Sequence, residues 1–193
     1  MGKLKNIPRI DFLNFLPTNT IGAEIGVFKG EFSKELISMI KPREIHFIDL
    51  WWSEYGEYFP DWGAYTDHGK LKTRDAYSMT ETHIQYADYK PEEVKIHVGD
   101  DLDILQSFAD NTFDWVYLDS SHEYHHTKKE LAILENKVKN SGFICGHDWH
   151  PKAGQPHHGV YLAINEFCEA SNWEVLKTGC YCQWALIYKD NLT

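Results

Sequence analysis

The order of residues predicts an α/β protein: a doubly wound sheet of seven strands, mostly parallel, ending in an antiparallel hairpin. Three observations carry that prediction. The first is Ala23-Glu24-Ile25-Gly26-Val27-Phe28-Lys29-Gly30 followed by a hydrophobic run ending at Asp49, which reads as strand, glycine turn, helix, strand and acid. The second is the alternation of short apolar runs with amphipathic ones, the pattern of repeated βαβ units. The third is a closing pair of strand-like runs, 173–177 and 183–188, with no helix between them, which reads as a hairpin at one edge.

Each element follows from its own pattern. Residues 1–20 read as a helical lead-in, with Phe12, Phe15 and Leu16 on one face and Pro17 as the stop. The first strand is 23–27. A helix over about 32–40 turns Phe32, Leu36, Met39 and Ile40 toward the sheet, and Pro42 ends it. The second strand is 45–50. Residues 51–69 form an irregular, aromatic, lid-like insertion, and a helix of poor apolar spacing spans 70–86. The third strand, 94–98, leads through Gly99-Asp100-Asp101 into a short helix holding Leu102 and Leu105, and the fourth is 115–118. Tyr124, Thr127, Leu131, Leu134 and Val138 form the cleanest helical stripe, closed by Asn140-Ser141-Gly142, before a fifth strand at 143–146. Val160, Ala163, Ile164 and Phe167 mark one more amphipathic helix, and Thr178-Gly179 turns the last hairpin.

The whole chain, 1–193, reads as one domain with an ordinary core: 42% of it is hydrophobic and 25% charged. A net charge of −10 without a basic stripe argues against a nucleic-acid partner, whose phosphates would be repelled. No apolar run reaches membrane-spanning length, and the start of the chain lacks a secretory core, so a cytoplasmic protein is expected. Cys145, Cys168, Cys180 and Cys182 lack zinc or redox spacing and read as reduced thiols.

In such sheets, ligands bind at the carboxyl ends of the strands. Polar groups stand there in series: Glu24 and Gly26, Asp49, Asp100, Asp119, then His147-Asp148. Any one of these carboxylates alone reads better as a helix cap, Asp101 above all, and it is five polar strand ends in a row that point to a shared site. Gly26 permits the tight turn, and Gly30 lets a helix start close to the ligand or the strand. Asp49 stands where a carboxylate accepts hydrogen bonds from ribose. Seven of the eleven histidines crowd into 122–158; His122 and His150 flank the expected pocket, while His125 and His126 read as exposed. Between Trp51 and Tyr65 stand seven aromatic residues, which fit either a lid over a ligand or local packing and a dimer contact.

E-I-G-V-F-K-G at 24–30, I-D-L at 48–50, G-D-D at 99–101, Y-L-D-S-S-H at 117–122 and G-F-I-C-G-H-D-W at 142–149 resemble, in this order, the motifs of class I S-adenosylmethionine-dependent methyltransferases. The group most similar is that of small-molecule O-methyltransferases, including the macrocin and cephalosporin-biosynthesis types. The resemblance spans roughly 21–190 and implies a Rossmann-like sheet with a reversed terminal hairpin. It implies a cofactor site of Glu24, Gly26, Phe28, Gly30, Asp49, Asp100, Asp101 and Asp119. Within it, Glu24 and Gly26 lie near the methionine end, Asp49 on the ribose and Asp100 by the adenine amino group. It also implies a divalent metal, Mg²⁺ or Mn²⁺, on Asp119 and Asp148, with His147 as a third ligand or turned away. His122 matches a general base, with Asp119 beside it in catalysis. Phe28 stands where many methyltransferases have glycine, and His147 where some metal-dependent relatives have a carboxylate.

The chemistry suits such groups. Methyl transfer from a sulfonium is an in-line displacement, so the protein aligns an acceptor and removes its proton. A metal lowers the pKa of a sugar or alkyl hydroxyl, and an imidazole takes the proton. The expected activity is O-methylation of a small hydroxylated molecule. Two other classes stay open. An NAD-dependent oxidoreductase would want G-x-G-x-x-G, whereas Gly22, Gly26 and Gly30 are spaced by four. A non-catalytic nucleotide- or metal-binding protein of the same fold would not need Asp119, His122 and Asp148 together.

Overall fold

A computed structural model of the chain describes residues 9–192. Within them run seven strands: β1 (Ile21–Ile25), β2 (Glu44–Asp49), β3 (Glu93–Val98), β4 (Phe113–Leu118), β5 (Val138–Gly146), β6 (Trp173–Gly179) and β7 (Gln183–Tyr188). They form one sheet in the order β3-β2-β1-β4-β5-β7-β6. The first five are parallel, and β7 runs antiparallel to both β5 and β6. The mostly parallel sheet with its reversed hairpin is the architecture that the sequence predicts. The last strand in sequence, however, sits inside the sheet, and β6 takes the edge.

Helices cover both faces because each carries one apolar stripe. On one face, Leu36, Ile37 and Ile40 of α1 (Glu31–Ile40) and Ala76 of α3 (Thr73–Gln85) pack with Ile45, Phe47, Trp115 and Tyr117 of the strands. On the other, Leu105 of α4 (Asp101–Ser107), Leu131 and Leu134 of α5 (Tyr124–Lys137) and Val160, Ala163 and Ile164 of α6 (His158–Ala170) pack with Ile25, Ile48, Val116 and Leu186. Each buried leucine, isoleucine or valine among them contributes about 1.5–3 kcal/mol. A four-residue α2 (Trp52–Tyr55) opens the aromatic insertion. No helix among the described residues is long and apolar enough to cross a membrane.

Three local expectations change. The lead-in is a 3-10 turn, Arg9–Leu13, rather than a longer helix; its part at 1–8 lies outside the described residues. Val138 leaves the α5 stripe: its backbone is extended, and it pairs with Phe113, so β5 begins five residues earlier than the apolar run suggests. A β-branched side chain is as easily buried from the strand as from the helix. The hairpin link is a 3-10 turn, Cys180–Cys182, beyond Gly179 rather than a tight turn at Thr178-Gly179.

The strand order reverses between β1 and β4, and the tips beyond that point are tied into one edge. The Gly26 amide donates to the Ile48 carbonyl (2.9 Å), Asp119 to Ile25 (2.8 Å), His147 to Leu118 (3.0 Å) and Gly99 to Asp49 (3.0 Å). A crevice at such a reversal is where open α/β sheets bind ligands.

Candidate functional site

Gly26 adopts a left-handed conformation (φ 85°), and a Cβ there would stand 2.1 Å from the Asp119 carbonyl oxygen. The residue is glycine because the β1 loop crosses directly against the β4 tip. Gly30 is glycine for a different reason than the helix start. A Cβ there would stand 2.7 Å from the Cα of Thr80, so its neighbour is α3 rather than a strand or the ligand side. Phe28 takes the left-handed region without being glycine (φ 57°). Three groups hold it there: its amide donates to Asp49, while its carbonyl accepts from Trp51 Nε1 (2.9 Å) and Thr80 Oγ1 (3.3 Å).

Asp49 accepts from the Val27 and Phe28 amides at 2.7 Å each through Oδ2, and from the Trp51 amide at 3.2 Å through Oδ1. Burial raises its pKa and these donors oppose the rise. It thus organises the glycine loop from the β2 tip. Glu24 is 2% exposed and accepts from Ser33 Oγ of α1. Burial pushes its carboxyl up to about 8, with the charges of Asp119 and Asp49 adding and the Ser33 hydrogen bond and the Arg9 charge opposing.

At the β3 tip the helix cap expected of Asp101 falls on Asp100. Asp100 is the helix cap, accepting from the Leu102 and Asp103 amides at 3.0 and 3.2 Å. Asp101 turns inward to His126, whose Nε2 lies 2.9 Å from each carboxylate oxygen. Glu130, one turn further along α5, completes that group with Ser120 Oγ as its donor. Burial raises Glu130 well above the carboxylate range, and the adjacent Asp101 raises it further. His126 is therefore a partner rather than an exposed residue, whereas His125 is exposed.

The β4 and β5 tips bring the remaining expected residues together. Ligand atoms of Asp119, His122 and Asp148 all lie within 4.8 Å of one another. His122 Nδ1 is 2.7 Å from Asp148 Oδ2. His147 Nδ1 is 3.1 Å from Asp148 Oδ1 and 3.7 Å from Asp119 Oδ1, and His150 Nε2 is 3.4 Å from Asp148 Oδ1. Burial works against ionisation of Asp148, but hydrogen bonds from His122 and His147 hold it well below the usual carboxylate range. Burial likewise opposes the charged form of His122, and Asp148 outweighs it, so that pKa rises. His122 and Asp148 have positive φ values, 61° and 67°, a strained conformation for side-chain-bearing residues. The loop after β5 is pinned by Trp184 Nε1 on the His147 carbonyl (2.7 Å) and by the Trp149 amide on the Cys182 carbonyl (2.7 Å).

Sequence reasoning missed Arg9, Tyr117, Gln183 and Glu130. Arg9 Nη2 donates to Asp119, 110 residues away, and to the Tyr117 hydroxyl at 2.8 Å. Nothing local marks it; only the fold brings it there. The aromatic insertion is packed largely against itself. Trp51 and Phe59 are buried, and Phe28, Tyr55, Phe59 and Trp62 meet ring to ring at 5.2–6.4 Å, leaving Tyr58, Trp62 and Tyr65 exposed. Burial raises the Tyr55 hydroxyl pKa, and the charge of Asp49 on the crevice rim adds to the rise.

Comparison with known proteins agrees with this geometry. A family model described as a methyltransferase domain matches residues 23–149. By sequence, no curated protein matches the chain at a significant level. Among solved structures, it is similar to the O-methyltransferase TomG of Streptomyces achromogenes, determined with SAM (TM-score 0.58, 18% identity, 92% of this chain and 75% of that one). It is similar to an O-methyltransferase of Bacillus cereus determined with SAH (TM-score 0.61, 12% identity, 92% and 78%). It also shares the fold of the fibrillarin pre-rRNA processing protein of Methanococcus jannaschii (TM-score 0.56, 12% identity, 90% and 68%). Matched by that family model over more than half its length, the chain belongs to the methyltransferase-domain family and is an S-adenosylmethionine-dependent methyltransferase.

Proposed function

We propose that this enzyme O-methylates a small hydroxylated acceptor, assisted by a divalent ion on Asp119, His147 and Asp148, with His122 as the general base. The observation that carries the reading is the convergence of Asp119, His122 and Asp148 at two adjacent strand tips. Two carboxylates and an imidazole fit Mg²⁺, or Mn²⁺ where the imidazole takes part. When bound, such an ion lowers the pKa of an acceptor hydroxyl, and the cofactor supplies an activated methyl group. The residues of the chain do the rest. Asp148 holds His122 by Nδ1, which leaves Nε2 to receive the acceptor proton. His147 is oriented by its carbonyl bond to Trp184. In the same reading, Glu24 takes the methionine end, with Gly26, Phe28 and Gly30 shaping the loop around it. Asp49 takes the ribose, while Asp100 and the backbone of Asp101 take the adenine. The 51–69 insertion covers the crevice from the side of Tyr55.

A second reading has its own support. Arg9 already neutralises Asp119, and His122–Asp148 is by itself an imidazole–carboxylate base pair, so proton removal without a metal is its alternative. One experiment separates the two: methyl transfer to a panel of simple sugars and phenols, with the protein stripped by a chelator and then supplied with Mg²⁺ or Mn²⁺. Activity restored only by the ion supports the metal-assisted reading, and full activity under chelation supports the dyad alone. In both, His122→Asn is expected to lower kcat by about 10²–10⁴-fold while leaving cofactor affinity nearly unchanged. Unchanged turnover would remove His122 from the mechanism.

A further inference from the structure

The methionine end of the cofactor is an amino acid, carrying an ammonium and a carboxylate. A site that reads both needs an anion and a cation side by side. Glu24 meets the first need when a ligand ammonium seats against its buried carboxyl and favours its ionised form, and the glycine loop does not meet the second. Its lysine, Lys29, turns outward and donates to the Tyr65 carbonyl at 2.8 Å.

The cation comes from the segment before β1. Among the described residues, Arg9 is the one arginine or lysine whose ion pair falls on a carboxylate at the ligand-binding edge of the sheet. Its guanidinium lies 4.1 Å over the ring of Phe32, in the first turn of α1. Nε and Nη2 both donate to the Tyr117 hydroxyl, at 3.2 and 2.8 Å, and Nη2 also reaches Asp119. The backbone is fixed as firmly. Gln183 Nε2 donates to the Arg9 carbonyl at 2.8 Å, while Gln183 Oε1 accepts from the Tyr117 hydroxyl at 3.0 Å. No described residue accepts from Nη1, which leaves two donors of a planar, oriented fork. The group also lies close enough to Glu24 for its charge to oppose the rise in that carboxyl's pKa.

We infer that Arg9 is the receptor for the α-carboxylate of the cofactor, acting beside Glu24, which receives the ammonium. The inference rests on the reading of this crevice as the cofactor site and adds a residue to it from outside the family match, which begins at residue 23. Asp119 is the resident counter-ion of a guanidinium that is always charged and only partly exposed to water. A ligand carboxylate offers the same fork a second anion through Nη1. A lysine would match the charge but not the two-pronged geometry.

The test is calorimetric titration of two probes, S-adenosylmethionine and its decarboxylated analogue, into the wild-type chain, R9Q and R9K. The wild type is expected to favour S-adenosylmethionine by about 10- to 100-fold, the value of a charge-assisted contact. In R9Q that preference collapses, through weaker S-adenosylmethionine binding with the analogue unchanged. R9K retains part of it, and carries the test if R9Q does not fold. Equal losses for both probes would assign Arg9 a merely structural role and overturn the inference, as would an unchanged ratio. A wild-type chain that binds neither probe overturns the cofactor reading itself, a result distinct from either.

Discussion

A single carboxylate at the β2 tip has two duties. Asp49 organises three amides of the glycine loop and, on the proposed reading, also receives the ribose, so its acceptor oxygens are engaged before any ligand arrives. Asp49→Asn keeps the shape but places an NH₂ where a carboxylate oxygen accepted. We expect a loss of about 1–3 kcal/mol in urea unfolding, together with weaker cofactor binding. A variant of wild-type stability would mean that the loop holds its own conformation. Asp49 was legible in the sequence because it closes the apolar run that follows the glycine motif and its helix. Arg9 was not, because its partners Tyr117, Asp119 and Gln183 lie more than a hundred residues away in sequence. Asp100 and Asp101 show a middle case: adjacent identical residues give no signal as to which one caps the helix, and the choice falls to His126 and Glu130 across the α4–α5 contact.

Between β1 and β4 the elements meet at the site backbone to backbone. The β1 loop crosses the β4 tip with room for a hydrogen and nothing larger. Gly26→Ala combines positive φ with a clash against a carbonyl, and is expected to cost about 3 kcal/mol or more, read as a fall of the thermal midpoint by several degrees. A wild-type midpoint would show that the strand tips move apart freely. The strands and the main helices were readable from periodicity, since each buries one stripe on one face of the sheet. The helix-to-strand junction at Val138 was not, because an apolar β-branched residue satisfies both periods at once. The aromatic insertion was equally opaque. Its rings could cover a ligand or one another, and only the coordinates show Phe28, Phe59 and Trp62 in mutual contact.

Stability of the whole molecule depends on pH from two sides. Burial lowers the pKa values of His46 and His97, whose ring nitrogens share a hydrogen bond of 3.0 Å, so both belong to a neutral fold. Their contribution is complete above the unfolded value, about 6.5, and is lost as pH falls through their depressed values. Glu24 acts in the opposite sense. Its folded pKa, about 8, exceeds the unfolded one, so its contribution is present in acid and disappears as pH rises through 8. Below about pH 6.5 the two effects oppose each other; urea midpoints of the wild type should therefore decline between about pH 6.5 and 8, and Glu24→Gln should flatten that decline and steepen the loss of stability below about 6.5. An identical alkaline limb in both proteins would place the buried charge elsewhere.

The position of β7 bears on how the molecule is made. Gln183, at the start of that strand, fastens both Arg9 and Tyr117, so the seat of Arg9 is not complete until β7 has been made. Until then β5 presents an open flank and the crevice lacks its arginine. On the proposed reading of the crevice, a nascent chain assembles the adenosine half of its pocket first, and the amino-acid half waits for β7.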